Sequence, residues 1–377
     1  MMSKIDRRFI IAGLAATTAA TTAACTTNEN LQQRRLMTLD KKTPIIIAHR
    51  GASGHRPEHT LSAYRMGFEM GADFVEPDLV LTKDGYLVCR HENEIGGTTN
   101  IAEKPEFAAR KAVKMIDGER FEGWFTEDFT LGELKTLRCR ERLPQLRPGN
   151  MAFDGQDEIP TFEEVLALIK GRMAPSGRPL GIYPETKHPR YFENIGLSFD
   201  APLVRALRNA NLDREDAPAF IQSFEVANLK RLASQTKAPK IQLVSAAGGP
   251  ADNTSTTYAN MITDAGLAEI ATYAAGIGPQ KSLIIPQSDD GRPLAATDLV
   301  ARAHHARLAL HPWTFRAENF FLPKDLRRGS NTDPNLPAQT GDLATECRRF
   351  LDLGVDGLFC DHPGVGVAAR DSWLATR

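Results

Sequence analysis

Polar residues able to bind a cation, hold an anion or move a proton stand at the ends of four short apolar runs. They are His49 with Arg50, Glu76 with Asp78, His91, and Glu185 with Lys187. The apolar runs predict strands, and parallel strands of a barrel end at one rim, where barrel enzymes carry their reactive groups. We therefore expect these side chains to meet in one site.

Three carboxylates in this set predict a metal site. Glu76 and Asp78 lie two residues apart in a predicted strand, so their side chains point to the same side. With Glu185 they form a hard-oxygen cluster suited to Ca²⁺ or Mg²⁺. A single acid here is most often a surface or capping residue, but three acids without a cation would repel one another. The combination favours a bound divalent cation.

His49 and His91 form a candidate acid–base pair, because imidazole titrates near neutral pH and can both accept and donate a proton. The alternatives for each are zinc ligation and a buried structural role, and the predominance of carboxylates disfavours zinc. Arg50 and Lys187 are the candidate ligands of phosphate oxygens, Arg50 through its planar fork and Lys187 as a point charge.

The elements that position these residues alternate between short apolar runs and helical patterns, which is typical of repeated βα units. Predicted strands cover residues 45–49, 73–81, 87–91, 180–185, 219–222, 240–244, 276–277, 308–311 and 357–360. Predicted helices cover 58–70, 161–170, 201–209, 225–234, 264–274, 296–305 and 342–353. With 87–91 assigned to a hairpin, eight core strands remain, which predicts an α/β fold of the (β/α)8 TIM-barrel type. Pro77 and Pro184 suit strand ends better than strand interiors.

One segment, residues 96–178, interrupts the alternation because it is far longer than an ordinary βα loop. We predict an inserted cap subdomain between the second and third barrel strands, packed on its own apolar residues such as Phe107, Phe121 and Trp124. A second interpretation is that this cap overhangs the mouth of the site and helps to select a leaving group.

The first 25 residues predict an export signal. Lys4, Arg7 and Arg8 precede a short apolar run, and small residues continue to Cys25. The paired arginines resemble a twin-arginine signal, and the apolar run is too short to span a bilayer. Lipidation of Cys25 is the alternative, although Thr22 stands where such signals usually carry leucine. Residues 26–42 then form a linker and 43–377 the barrel domain, with an expected periplasmic location.

Composition excludes several classes of protein. A net charge of −1 gives no electrostatic footprint for nucleic acid, and we predict neither a nucleic-acid partner nor a transmembrane span. Beyond Cys25 the cysteines lack C-x-x-C spacing, which excludes a zinc-finger type of site. The sequence does not fix an oligomeric state.

Several motifs agree with a known family. They are Ile47-Ala48-His49-Arg50-Gly51 with Pro57-Glu58-His59-Thr60, Glu76-Pro77-Asp78, His91, Tyr183-Pro184-Glu185-Thr186-Lys187, Gly276-Ile277-Gly278-Pro279, His311-Pro312-Trp313-Thr314 and the run 354–361. On these residues the chain resembles the glycerophosphodiester phosphodiesterases over essentially its whole mature length. The Pro-Glu-His-Thr form is similar to the periplasmic bacterial branch.

The resemblance implies a (β/α)8 barrel with one divalent cation, usually Ca²⁺, that hydrolyses deacylated phospholipids such as glycerophosphocholine to glycerol 3-phosphate and an alcohol. It implies Glu76, Asp78 and Glu185 on the metal, His49 and His91 as general acid and base, Arg50 and Lys187 on the phosphate, and Trp313 in an aromatic wall of the substrate pocket. Two positions depart from the usual pattern: His59 replaces an asparagine, and Glu92 follows His91 where an aspartate is common. Glu92 can orient His91 only if its longer side chain reaches the ring.

Two other functions stay open. A lysophospholipase D or sphingomyelinase D-like phosphodiesterase would share the barrel and the histidines, and it would need an apolar groove beside Trp313 and the cap. A non-catalytic binding protein on the same scaffold predicts the loss of a histidine or a metal ligand, and none is missing.

Overall fold

Parallel strands and helices alternate through the computed structural model, which describes residues 43–175 and 177–377. The predicted export signal at 1–25, including Cys25, and the predicted linker at 26–42 lie outside the described residues.

The strands and helices of the described part follow the chain in this order. The strands are β1 (Ile45–His49), β2 (Phe74–Glu76), β3 (Asp78–Leu81), β4 (Leu87–Cys89), β5 (Ala112–Ile116), β6 (Glu119–Gly123), β7 (Gly181–Ile182), β8 (Glu185–Thr186), β9 (Ile221–Ser223), β10 (Lys240–Val244), β11 (Gly276–Pro279), β12 (Ala309–Leu310) and β13 (Gly357–Cys360). The helices are α1 (Leu61–Glu69), α2 (Leu131–Leu134), α3 (Phe162–Ile169), α4 (Pro189–Asn194), α5 (Asp200–Asn209), α6 (Val226–Gln235), α7 (Tyr258–Met261), α8 (Asp264–Ile270), α9 (Leu299–His305), α10 (Leu343–Asp352) and α11 (Pro363–Leu374).

Two prolines divide barrel strands without breaking the barrel. Pro77 separates β2 from β3, and Pro184 separates β7 from β8. The strand order is β13-β1-β2-β7 in one sheet and β12-β11-β10-β9-β8-β3-β4 in the other, so each divided strand belongs to both sheets. Proline has no N–H to donate to a ladder, which explains the divisions.

The barrel closes where the first and last strands meet. β1 pairs in parallel with β13, and the amide of Asp356 donates to the carbonyl of Leu310 at 2.9 Å beside β12. A parallel bridge joins Phe315 to Cys360 a little further along. With each divided strand counted once, eight strands surround the barrel, and the antiparallel β4 pairs with β3 outside it. The predicted (β/α)8 barrel is confirmed.

The interior of the barrel is a packed floor for anything bound above it. Its apolar cluster contains Ile45, Ile47, Phe74, Tyr183, Phe220, Ile241, Ala309 and Phe359, all at most 4% exposed. Such packing holds the strand ends rigidly, because interior side chains interdigitate with few voids.

The helix predicted at 58–70 begins later than its sequence pattern indicated. α1 starts at Leu61, and the hydroxyl of Thr60 accepts a hydrogen bond from the amide of Ala63 at 3.1 Å. This threonine is a favourable N-cap. Residues Glu58 and His59 are thereby left in the loop after β1, free to face the site.

The long segment 96–178 packs both on itself and on the barrel. Its Phe107 and Phe129 meet edge to face at a centroid distance of 5.1 Å, and both are buried in the same apolar cluster as barrel residues such as Val80 and Ile182. The apolar core of the segment is therefore continuous with that of the barrel. α3 at the end of the segment contacts α1, β4 and β7 and belongs to the helical layer of the barrel.

Within residues 43–175 and 177–377, no helix has both the length and the apolar character needed to cross a bilayer.

Candidate active site

A cavity of about 600 Å³ opens at the carboxyl ends of the barrel strands. Seven of the eight site residues predicted from the sequence line it: His49, Arg50, Glu76, His91, Glu185, Lys187 and Trp313. The eighth, Asp78, is fully buried and lies against Glu76 and Glu185. The structure therefore brings the whole predicted set together.

Three carboxylates meet at the break between β2 and β3 and at the start of β8. Oxygen atoms of Glu76, Asp78 and Glu185 all lie within 4.8 Å of one another. A divalent cation with oxygen ligands at ~2.0–2.6 Å fits such a spacing. All three side chains are buried, so they cannot be treated as a solvated acidic patch.

The charges of this cluster are only partly compensated by neighbouring side chains. Burial, followed by the neighbouring Asp78, raises the pKa of Glu76 well above its usual range and that of Glu185 to about 8. Burial also acts on Asp78, but Lys187 and Arg50 outweigh it and hold its pKa well below the usual range. One oxygen of Asp78, Oδ1, is buried and has no hydrogen-bond partner in the described part of the chain. Repelling acids and an orphaned oxygen fit a bound cation.

Hydrogen bonds fix the orientation of these acids. Glu76 accepts from the side chain of Gln222 at 3.0 Å and from the amide of Arg50 at 2.9 Å. Asp78 Oδ2 lies 2.9 Å from Nε2 of His59, whose Nδ1 lies 2.8 Å from the hydroxyl of Tyr64. His59 thus acts on the cluster through Asp78, which explains how a histidine serves where the family often has asparagine.

Two cations border the carboxylates on the cavity side. Lys187 Nζ lies 2.9 Å from Glu185. Arg50 donates to Glu58 at 3.0 Å, and its Nε lies 3.1 Å from Asp78. Both cations stay charged, because these carboxylates outweigh burial and raise the pKa of each group above its usual value.

The turn after β1 holds Arg50 in place. Gly51 adopts φ +84°, and a Cβ there would lie 2.5 Å from the backbone of Ala63. Only glycine fits this close approach between the turn and α1. Arg50 itself has φ +61°, so its side chain leaves the strand at an angle that directs it to the acids.

His49 is held by a deeply buried ionic network. Its Nδ1 lies 2.6 Å from Asp361 Oδ1 at the end of β13. The other oxygen of Asp361 accepts from Arg147 at 2.5 Å and from Arg316 at 2.9 Å. Arg147 also donates to the carbonyl of Ser53 at 3.0 Å. Burial, and then Arg50, lowers the pKa of His49 to about 4, so the ring is neutral at pH 7.

His91 is held by a more exposed chain of groups. Its Nδ1 lies 2.6 Å from Glu92 Oε1, so the longer glutamate does reach the ring. Glu92 Oε2 lies 3.3 Å from Nε2 of His188, and Nδ1 of His188 lies 2.5 Å from Asp117 between β5 and β6. Burial, and then Arg50, lowers the pKa of His91 to about 3.

Aromatic residues form the far side of the cavity. Trp313 donates its indole N–H to the carbonyl of Gly278 at 2.7 Å and meets Phe224 edge to face at a centroid distance of 5.7 Å. Phe320 and Phe321 extend this wall to the rim, where Phe320 is 60% exposed.

The 96–178 segment reaches the mouth of the cavity. Arg142, Leu143, Gln145 and Leu146 from this segment line it, and Arg142 donates to Glu58 at 2.8 Å. The interpretation that the cap overhangs the site therefore agrees with the geometry of the described residues.

Several residues of the site were not singled out from the sequence. Glu58 and Asp361 stood in the family motifs without an assigned role. The residues that were not considered are Arg147, Arg316, Gln222, His188 and Asp117. Asp361 could have been found, since it follows a predicted strand directly. Arg147 and Asp117 lie in the long segment and carry no local signal.

Comparisons with known proteins agree with this geometry. A model of the glycerophosphoryl diester phosphodiesterase family matches residues 49–365. The chain is 38% identical over 339 residues to the glycerophosphodiester phosphodiesterase GDPD6 of Arabidopsis thaliana, covering 86% of each protein. It is 28% identical over 352 residues to the glycerophosphodiester phosphodiesterase of Haemophilus influenzae, covering 87% of this chain and 90% of the relative.

A solved structure shares the fold. An Oleispira antarctica phosphodiesterase, in complex with its product sn-glycerol 3-phosphate, superimposes with a TM-score of 0.55 at 21% identity, covering 87% of this chain and 97% of that one. The match of the family model over most of the sequence, together with the Arabidopsis relative, shows that the chain belongs to the glycerophosphoryl diester phosphodiesterase family.

Proposed function

We propose that the protein hydrolyses glycerophosphodiesters to glycerol 3-phosphate and an alcohol. The observation that carries the proposal is the convergence of His49 and His91 with the three carboxylates and two cations in one cavity. The names of the relatives agree with it, and so does the product bound to the Oleispira enzyme.

The carboxylates Glu76, Asp78 and Glu185 are the proposed ligands of one divalent cation. When bound, the cation would neutralise charge on the phosphate oxygens and polarise the phosphorus centre. Ca²⁺ is the proposed occupant and Mg²⁺ the alternative, because buried carboxylates of hard oxygen character suit both. Arg50 and Lys187, on the cavity side of the same acids, are the proposed partners of the phosphate oxygens.

His49 and His91 are the proposed pair of acid–base groups, one serving as general acid and the other as general base. Each ring has its Nδ1 on a carboxylate, Asp361 or Glu92, which leaves Nε2 as the nitrogen available for proton transfer. Burial, and then Arg50, lowers both pKa values, and the negative charge of a bound phosphodiester acts against the effect of Arg50. Binding of substrate thus favours the protonated form of the ring that serves as general acid.

Two routes use the same groups. In the first, one histidine takes the proton of the glycerol 2-hydroxyl, which attacks phosphorus, and the other protonates the leaving alcohol; water then opens the cyclic phosphate. The intramolecular nucleophile has the advantage of a high effective concentration. In the second, water attacks directly. Rapid-quench samples containing cyclic glycerophosphate support the first route, and ¹⁸O entry in one inverting step without it supports the second.

An enzyme-coupled assay for glycerol 3-phosphate tests the proposal. Purified protein should release glycerol 3-phosphate from glycerophosphodiesters, lose the activity in EDTA, and recover it when Ca²⁺ or Mg²⁺ is added back. The order of recovery identifies the preferred cation. Activity that survives both EDTA and His49→Ala would overturn the assignment of the site.

A lysophospholipase D or sphingomyelinase D-like activity is the second candidate. Three residues at the cavity mouth favour this candidate because they add apolar surface beside the aromatic wall. They are Leu143, Leu146 and Phe320. Hydrolysis of lysophosphatidylcholine in preference to glycerophosphocholine would establish this candidate over the first.

Export to the periplasm by the twin-arginine route is proposed from Arg7 and Arg8 and the apolar run after them. Cell fractionation of the intact chain and of an Arg7→Lys, Arg8→Lys double variant tests the route, because export should fail in the variant. Labelling with a fatty-acid analogue distinguishes a lipid-anchored Cys25.

A further inference from the structure

Two more arginines stand behind the catalytic pair on one side of the cavity. Arg142 shares the Glu58 carboxylate with Arg50, and Arg316 shares the Asp361 carboxylate with His49. Arg142 and Arg316 both line the cavity, with 28% and 19% of the side chain exposed. The side of the cavity above β1 is therefore more basic than the phosphate position alone requires.

Both arginines keep donors available. Each binds its carboxylate through Nε, and the outer guanidinium nitrogens of Arg142 and Arg316 donate no hydrogen bond to any residue within 43–175 or 177–377. Guanidinium groups bind carboxylates and phosphates well through such paired donors. The free donors point to an anionic ligand on this side.

The aromatic wall, which Arg316 also contacts, is poorly suited to a quaternary ammonium group. An aromatic cage binds such a cation on free ring faces. Here Cζ of Arg316 lies 4.5 Å from the ring centre of Phe321, and Nζ of Lys187 lies 6.0 Å from that of Phe224. The protein's own cations thus already use a face of two of these rings, and they would repel a cationic headgroup.

We propose that the site prefers glycerophosphodiesters whose alcohol carries an anionic group, a carboxylate or a phosphate, held by Arg142 and Arg316. The inference rests on the proposed glycerophosphodiester hydrolysis and specifies the variable half of its substrate. The neutral glycerol arm packs on Trp313, whose ring suits C–H groups, and the alcohol arm extends to the basic side above β1.

Matched substrates test this preference. Glycerophosphoserine and glycerophosphoethanolamine differ by one carboxylate, and we expect kcat/KM to be about tenfold higher for the serine diester at low salt, since a hydrogen bond to a charged group is worth that much or more. Added salt should reduce the ratio, because exposed charges are screened. Glycerophosphoglycerol, whose alcohol carries no charge, serves as the reference substrate.

Variants assign the effect to the basic side. Arg142→Gln should bring the ratio close to one, and Arg142→Lys should retain most of it. Arg140→Gln is the matched control. Arg140 lies in the same segment and pairs with Glu103, and its substitution removes the same charge at a position away from the cavity. A ratio between two substrates cancels any common loss of activity.

The outcomes separate the inference from the function beneath it. Hydrolysis of all three diesters with a serine-to-ethanolamine ratio of one or less, or with a ratio unchanged in Arg142→Gln, would overturn the inference alone. Failure of every diester, glycerophosphoglycerol included, to yield glycerol 3-phosphate would overturn the proposed function and the inference with it.

Discussion

The two histidines of the site have equivalent contacts but very different surroundings. His49 has 8% of its side chain exposed, and its partner Asp361 is held by the buried Arg147 and the partly buried Arg316. His91 is 24% exposed, and its partner Glu92 is 36% exposed and held by His188. The carboxylate–imidazole unit of His49 is therefore built into the core, whereas that of His91 lies at the partly exposed end of the β3–β4 hairpin. Catalytic geometry and structural stability are coupled at the first histidine and separable at the second.

The largest expected effect comes from removing the imidazole ring of either histidine. His49→Ala and His91→Ala should each lower kcat by about 10²–10⁴, the usual contribution of general acid–base catalysis. Steady-state kinetics measures this, and His305→Ala, an exposed histidine on α9, is the control. An active variant with either ring removed would show that the two units are not both catalytic.

The next effect is a difference in folding stability between variants of the two carboxylates, Asp361 and Glu92. Asp361→Asn should destabilise the fold by about 3–5 kcal/mol, because Arg147 and Arg316 lose a buried counter-charge. Glu92→Gln should cost less than about 1 kcal/mol, since its ion pairs are partly exposed. Urea unfolding at pH 7 measures both. Equal losses in the two variants would contradict the contrast.

A pH experiment tests the contribution of His188, which holds Glu92 beside His91. Burial lowers the pKa of His188, but its hydrogen bonds to Asp117 and Glu92 outweigh burial and raise that pKa to about 9, above its ordinary value of 6.5. His188 therefore contributes stability that is fully present below pH 6.5 and is lost as pH rises through 9. The stability difference between wild type and His188→Gln should shrink by about 1–3 kcal/mol over that range. A constant difference would show that His188 is not charged in the fold.

A smaller effect concerns orientation of His91. Glu92→Gln should lower kcat about tenfold, a part of the acid–base contribution, with KM little changed. Glu92→Asp should keep most of the activity, because an aspartate can still reach the adjacent ring. If both variants match wild type, Glu92 does not orient His91.

The smallest effect lies at the tip of the hairpin between β5 and β6. Asp117→Asn removes the negative charge that faces His188. His188 in turn contacts His91 only through Glu92. We expect a fall in kcat of only about two- to threefold, within the small range typical of partly exposed ion pairs. A fall as large as that of Glu92→Gln would make the hairpin an integral part of the site.

Local signals explain what the sequence could reveal. The barrel strands and seven of the eight predicted site residues were found because apolar runs end in them, and two acids at spacing two must share a face. Trp313 was indicated by the family resemblance alone. The start of α1 was misplaced because Pro57 and Glu58 resemble a first helical turn, whereas Thr60 forms the cap.

Long-range pairing explains what it could not reveal. His49 and Asp361 are 312 positions apart, and Arg147 and Asp361 are 214 apart, so no spacing rule links them. The apolar content of the 96–178 segment predicted packing within the segment, but it could not show that the same residues also cover the barrel. Whether Glu92 reaches His91 depended on the conformation of the glutamate side chain, which the sequence does not specify.

Arg147 gives the long segment a consequence for protein engineering. This residue comes from the segment, yet it binds Asp361 behind His49, Glu318 in the loop after β12 and the carbonyl of Ser53 after β1. A chimera that exchanges the segment with that of another barrel must therefore carry over an arginine at this position, or replace its acidic acceptors at the same time. The segment and the barrel therefore have to be exchanged as one unit, at boundaries that keep this ion pair intact.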